Sequence, residues 1–175
     1  MNNRTVKRFT HIFLASQLVI FFALFISESD KPAKLKKLLP KEINKVKFET
    51  KLSDFLKTHP KAVEANEGAY DFRKVYTEDI NSGKITTLVY YFDTDLPGQP
   101  LYEVIVNYKD EATMELQANV LLGASNYNGK DGKSKEWKFD IQEKYPLHSW
   151  VFRNKIIYAF PMLGTEWNEN GNPEL

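Results

Sequence analysis

The chain has 175 residues, a formal net charge of +1 and no cysteine. That length allows one domain with its own core behind a terminal segment. The near-zero charge removes any global electrostatic case for nucleic acid, and the missing cysteine excludes a disulfide framework and a lipid anchor on cysteine.

Residues Ile12 to Ile26 read IFLASQLVIFFALFI, an apolar run behind Arg4, Lys7 and Arg8. A basic start followed by an apolar stretch of this length is the layout of an export signal. The nearest small-x-small site is Ser27-Glu28-Ser29, and it is poor. Residues 1–27 are therefore read as a signal peptide or as a retained N-terminal membrane anchor with a transmembrane helix. The basic residues before the run favour export of everything after it, although the lysines that follow pull the other way.

Residues 28–47 are rich in lysine, carry Pro32 and Pro40, and lack a sustained apolar face. They are read as a linker, with the lysines also suited to anionic lipid headgroups. Leu52, Phe55, Leu56 and His59 then fall at helical spacing, so Thr50 to His59 is expected as a short helix with Thr50 as its N-cap and Pro60 as its stop. Tyr70 to Thr77 alternates loosely, as a strand does. Asn81 to Lys84 is a turn, and Ile85 to Phe92 is rich in β-branched and aromatic residues. Asp95 to Pro100 has turn chemistry. Leu101 to Tyr108 is the clearest strand, with Tyr102, Val104, Val106 and Tyr108 on one face and Glu103 and Asn107 on the other. The short connections imply an antiparallel meander.

At Glu111 to Leu122 the period changes to that of a helix. Asp110 suits its N-cap and Gly123 lies just past its end. Its apolar face is read as Ala112, Leu116, Val120 and Leu121. Asn126 to Ser134 reads as an exposed loop. Trp137-Phe139-Ile141 alternates as a strand, and Ser149 to Arg153 and Ile156 to Phe160 form a hairpin about an Asn154-Lys155 turn. Residues 164–175 are polar and read as a flexible tail. The sum is an α+β domain over residues 48–163. Its antiparallel sheet is built from two three-stranded meanders, each preceded by a helix, with the helices on one face.

Leu52-Ser53-Asp54-Phe55-Leu56 with His59-Pro60, then Leu121-Leu122-Gly123-Ala124-Ser125, Trp137, Trp150-Val151-Phe152 and Ile156-Ile157-Tyr158, resemble small exported domains of the β-lactamase-inhibitor-protein-like fold. The resemblance spans roughly Val46 to Pro161. It implies one or two helix-and-strand units of that plan. The chain lacks the lipid-attachment cysteine of the related outer-membrane assembly lipoproteins and has no Gly-x-Thr or Gly-x-Ser lead into either helix. The fold is carried over, and no functional residue is.

The chemistry-bearing residues are few. The three histidines, His11, His59 and His148, have no metal-ligand spacing, so no metal and no cofactor is expected. There is no nucleophile elbow and no phosphate-cradling glycine loop. His148 and Ser149 adjoin on a strand and point to opposite faces, which rules them out as a base and nucleophile pair. Asp93, Asp95 and Gly98 invite a calcium loop, but Pro97 stands at a ligand position and no glutamate closes it. What remains is an excess of strand aromatics, some of which must lie off the helix-covered face. Tyr and Trp supply large contact area at low entropic cost. Tyr91, Tyr127, Trp150 and Arg153 are accordingly the candidates for ligand or partner contact.

The sequence thus points to a non-enzymatic binding module, periplasmic or otherwise exported, or anchored to a membrane by its N-terminal segment. Its partners would be a membrane, through the N-terminal segment, and an unidentified protein, and not nucleic acid. The alternatives are a small-ligand carrier or unrecognised enzyme drawing on Arg73, Glu103, His148 and Arg153, and a structural envelope protein.

Overall fold

The computed structural model describes residues 34–65, 71–128, 135–141 and 143–162. The apolar run at 12–26 and the tail at 164–175 lie outside them. Among the described residues no helix is long and apolar enough to cross a membrane.

The fold is α+β. Among the described residues, helices α1 (Leu35–Leu38), α2 (Leu52–Thr58) and α3 (Glu111–Leu122) accompany eight strands: β1 (Val63–Glu64), β2 (Arg73–Asp79), β3 (Ile85–Asp93), β4 (Leu101–Tyr108), β5 (Tyr127–Asn128), β6 (Lys135–Phe139), β7 (Leu147–Phe152) and β8 (Lys155–Ala159). They make one antiparallel sheet in the order β1-β2-β3-β4-β8-β7-β6-β5, so β4 and β8 are central neighbours although far apart in sequence.

Local chemistry explains the best-read elements. The Asp110 carboxylate accepts the Thr113 N–H at 2.7 Å and caps α3, and Gly123, at φ 73°, ends it. A side-chain hydrogen bond with Thr113, then this backbone one, hold the Asp110 carboxyl below its usual range. Strand β4 has the bounds its alternation gives. In contrast, α2 begins at Leu52, two residues after Thr50. Lys51 stands at its N-cap with no side-chain cap, because the Thr50 hydroxyl donates to the Lys47 carbonyl instead.

Other expectations are corrected. Strand β2 starts at Arg73, later than the alternation from Tyr70 suggests. Tyr127–Asn128, read as loop, is an edge strand, and Val63–Glu64 is a second one. The β7–β8 turn is Arg153-Asn154, one residue earlier than expected, since Phe152 pairs with Lys155 and Arg153 takes the positive φ of 54°. On α3 the buried residues are Met114, Ala118 and Leu122, while Leu116 and Val120 are 59% and 69% exposed. The helix is apolar on both sides, so periodicity could not choose between them.

The largest difference concerns the lysine-rich stretch. From Leu35 on it lies against the domain. Leu38, Leu39, Ile43, Val46 and Phe48 enter the same buried cluster as the strands. Phe48 stacks on Phe160 with ring centroids 4.1 Å apart. Glu49 N–H donates to Leu101 O at 2.8 Å and Leu101 N–H to Thr50 O at 2.9 Å, which ties the segment to the start of β4.

Register sorts the sheet side chains into two sets. One row runs Tyr76, Tyr90, Val104, Tyr158, Ser149, Trp137. All six are buried, and burial pushes the Tyr90 and Tyr158 hydroxyls far above their ordinary pKa. Phe55 of α2 meets Tyr90 and Phe92 at 4.6 and 5.0 Å, and the Trp137 indole donates to Gly123 O at the end of α3 at 3.2 Å. The other set contains the row Tyr127, Glu136, Trp150, Ile157, Ile105, Val89, Thr77 and the row Lys138, His148, Ala159, Glu103, Tyr91, Val75.

Candidate functional site

The second set of side chains gathers most of the candidate residues. On β5, β6 and β7 it presents Tyr127, Glu136, Lys138, His148 and Trp150 together. Antiparallel register explains this: Glu136 pairs with both Tyr127 and Trp150, and Lys138 pairs with His148. The short β5 is held to β6 by more than its own ladder. The Asn126 side chain both donates to Lys138 O and accepts from Lys138 N–H, each at 2.9 Å, copying a strand pair, and the Ser125 hydroxyl donates to Glu136 O at 2.7 Å.

His148 is the hub. Its Nε2 lies 3.0 Å from Glu136 Oε2, and the two side chains are 12% and 16% exposed. A carboxylate only accepts, so Nε2 carries the proton. The imidazole meets the Trp150 ring at 5.1 Å and the Tyr127 ring edge-on at 5.8 Å. Lys138 Nζ sits 3.8 Å from the centre of the Tyr127 ring, within cation–π range. Burial lowers the His148 pKa, Glu136 works to raise it, and Lys138 adds to the lowering. The cluster thus offers aromatic surface, one acidic and one basic group, and a polar imidazole on a rigid three-strand support. Such a mixture recognises by stacking, apolar contact and paired charges.

Tyr127 and Trp150 are therefore brought together, through His148. Tyr91 is not part of that group. It lies toward β2 on the same register set, 8% exposed, with the Arg73 guanidinium 4.9 Å from its ring and Tyr102 at 6.5 Å. A bulge between Tyr91 and Phe92 explains the Tyr102 contact, which strict alternation with Val104 does not give. Arg153 stands apart again, exposed in the β7–β8 turn with its guanidinium 5.1 Å from the Phe152 ring.

The residues of the enzyme alternative are spread in the same way. Glu103 pairs with Tyr91 on one side and Ala159 on the other, and Ala159 pairs with His148. Glu103 and His148 are thus two strand spacings apart, about 10 Å between backbones. Among the described residues no group of three His, Cys, Asp or Glu could hold a metal ion. Glu136 and Lys138 escaped the sequence reading as site members, and His148 entered it only for the carrier or enzyme alternative. Each has an i,i+2 partner on its face, but nothing in the sequence states which strands pair. No protein-family model, curated protein or solved structure matches the chain.

Proposed function

We propose that this chain is a non-enzymatic binding module, exported or held at a membrane by its N-terminal segment, that engages a protein partner through the Tyr127–His148–Trp150 surface. One observation carries the reading: these rings, with Glu136 and Lys138, form a contiguous and only partly buried group on the sheet. Large aromatic rings beside satisfied polar groups are the composition of interface anchors. The apolar run behind a basic start supports the export half of the reading.

The finer architecture belongs to the same proposal. The fold is two meanders, each preceded by a helix with both helices on one face, on the β-lactamase-inhibitor-protein-like plan. Supporting it, the ring that α2 touches, Tyr90, and the ring that α3 touches, Trp137, fall in a single cross-strand row.

Site-directed photocrosslinking tests the function. A photoreactive phenylalanine replaces Tyr127 in the full chain in cells, with the same residue at Lys84 as a control. A discrete protein adduct at position 127, absent at position 84 and lost when Trp150→Ala is added, is the expected result. Equal labelling at both positions, or none at 127, overturns the proposal.

A further inference from the structure

A cleft of about 440 Å³ opens along the folded lysine-rich stretch, lined by Lys34, Lys36, Lys45 and Lys47. Its apolar lining comes from Leu35, Val46 and Ile141. Val46 and Ile141 are buried, so they stand as fixed wall rather than as mobile surface. Glu143 is the single carboxylate among the lining residues. The charge is local: residues 34–47 hold six lysines against one acidic residue, Glu42, in a chain whose net charge is +1. A linker would spread such charge through solvent. Here the burial of Leu38, Leu39, Ile43 and Val46 pins the backbone between the lysines, and four of the six, Lys34, Lys36, Lys45 and Lys47, line one concavity.

We infer that this cleft is a docking site for the phosphate headgroup of an anionic phospholipid, with the apolar lining against the glycerol and first acyl carbons. Several ammonium groups beside fixed apolar wall match that junction of charge and hydrocarbon. The sequence adds a reach constraint. Seven residues, 27–33, separate the apolar run from Lys34. A connection of that length can reach no more than about 25 Å. The choice of lipid as the phosphate source rests on the membrane-tethered reading above, while the cleft's affinity for anions does not.

The test uses the full chain in neutral-detergent micelles. Short-chain phosphatidylglycerol, short-chain phosphatidylcholine and inorganic phosphate are titrated in parallel, and backbone amide shifts of residues 34–47 are read by NMR. Phosphatidylglycerol should shift these amides saturably. The combined Lys34→Gln, Lys36→Gln, Lys45→Gln, Lys47→Gln variant should bind it at least about tenfold more weakly, since each basic residue near an anionic surface contributes measurably. A matched variant at the exposed Lys57, Lys61, Lys84 and Lys109 should stay within about twofold of the parent. Equal affinity for phosphatidylcholine or for inorganic phosphate overturns the lipid assignment, and equal losses in both variants overturn the cleft. Membrane fractionation of the full chain is scored separately. Release into the soluble pool defeats the tether, while the titration still decides the cleft.

Discussion

Trp137 and Trp150 sit on neighbouring strands, one register row apart, and live in different worlds. Trp137 is fully buried, and its indole N–H is matched to the carbonyl that ends α3. Trp150 pairs with Glu136 on the other set of side chains, is partly exposed, and shares its surroundings with an imidazole, a phenol and a lysine. The residue type is the same and the strand pattern is the same. Parity along the strand decides which ring is buried and which is partly exposed. Aromatic content alone therefore says little about function in this chain, and position in the register says much.

The sharpest way to break that contrast is truncation. Trp137→Ala should cost about 3–5 kcal/mol, the range for emptying a fully buried aromatic site. Trp150→Ala should cost about 1–2 kcal/mol, because less of its area leaves water on folding. Urea denaturation of the full chain, read by far-UV circular dichroism, compares them. Equal costs would show that both faces are core and would remove the basis for a binding surface there.

A second pair, smaller in effect, repeats the contrast on α3. Met114→Ala should destabilise by about 2–3 kcal/mol as a buried large-to-small change. Leu116→Gln with Val120→Gln should stay within about 0.5 kcal/mol each, as exposed substitutions do. The same denaturation series measures both. If the glutamine pair destabilises as much as Met114→Ala, the exposed stripe is covered in solution and the helix has two packed sides.

How far the sequence carried the fold depended on whether a local signal was unique. Helix α3 was legible at both ends because Asp110 and Gly123 each supply a specific backbone service, and β4 was legible because its alternation is clean. The face of α3 was not, since Ala112, Leu116 and Val120 are as apolar as Met114, Ala118 and Leu122. Residues 34–47 read as linker because Pro40 interrupts the helical spacing of Leu38, Leu39, Ile43 and Val46, and lysines are interleaved with them, although all four are buried. Of the candidate site, Tyr127 and Trp150 could be named from composition. Their union through His148 could not, because it depends on Glu136 pairing with Trp150 rather than with another strand residue. The Tyr102 displacement needed the bulge, which leaves no mark in alternation.

The smallest expected effect sharpens the comparison most, because it asks whether the partly exposed face is dry or wet at its hub. Burial lowers the His148 pKa below the ordinary 6.5, against the pull of Glu136 and with the help of Lys138. Between the folded and unfolded values the unfolded chain binds more protons than the folded one, so stability must fall as pH falls. The contribution of neutral His148 is complete above pH 6.5 and is lost as pH drops through the folded value. Thermal unfolding of the parent and of His148→Gln from pH 8 to pH 5 isolates it, because glutamine keeps a neutral N–H near the Glu136 carboxylate at every pH in that range. The parent's advantage over the variant should be level above 6.5 and shrink below it. Should the parent instead gain as pH falls, the attraction of Glu136 outweighs desolvation, and the hub is a solvated ion pair rather than a buried neutral one. Either slope reports on the same small group of side chains, and only the first is consistent with His148 packed dry between Tyr127 and Trp150.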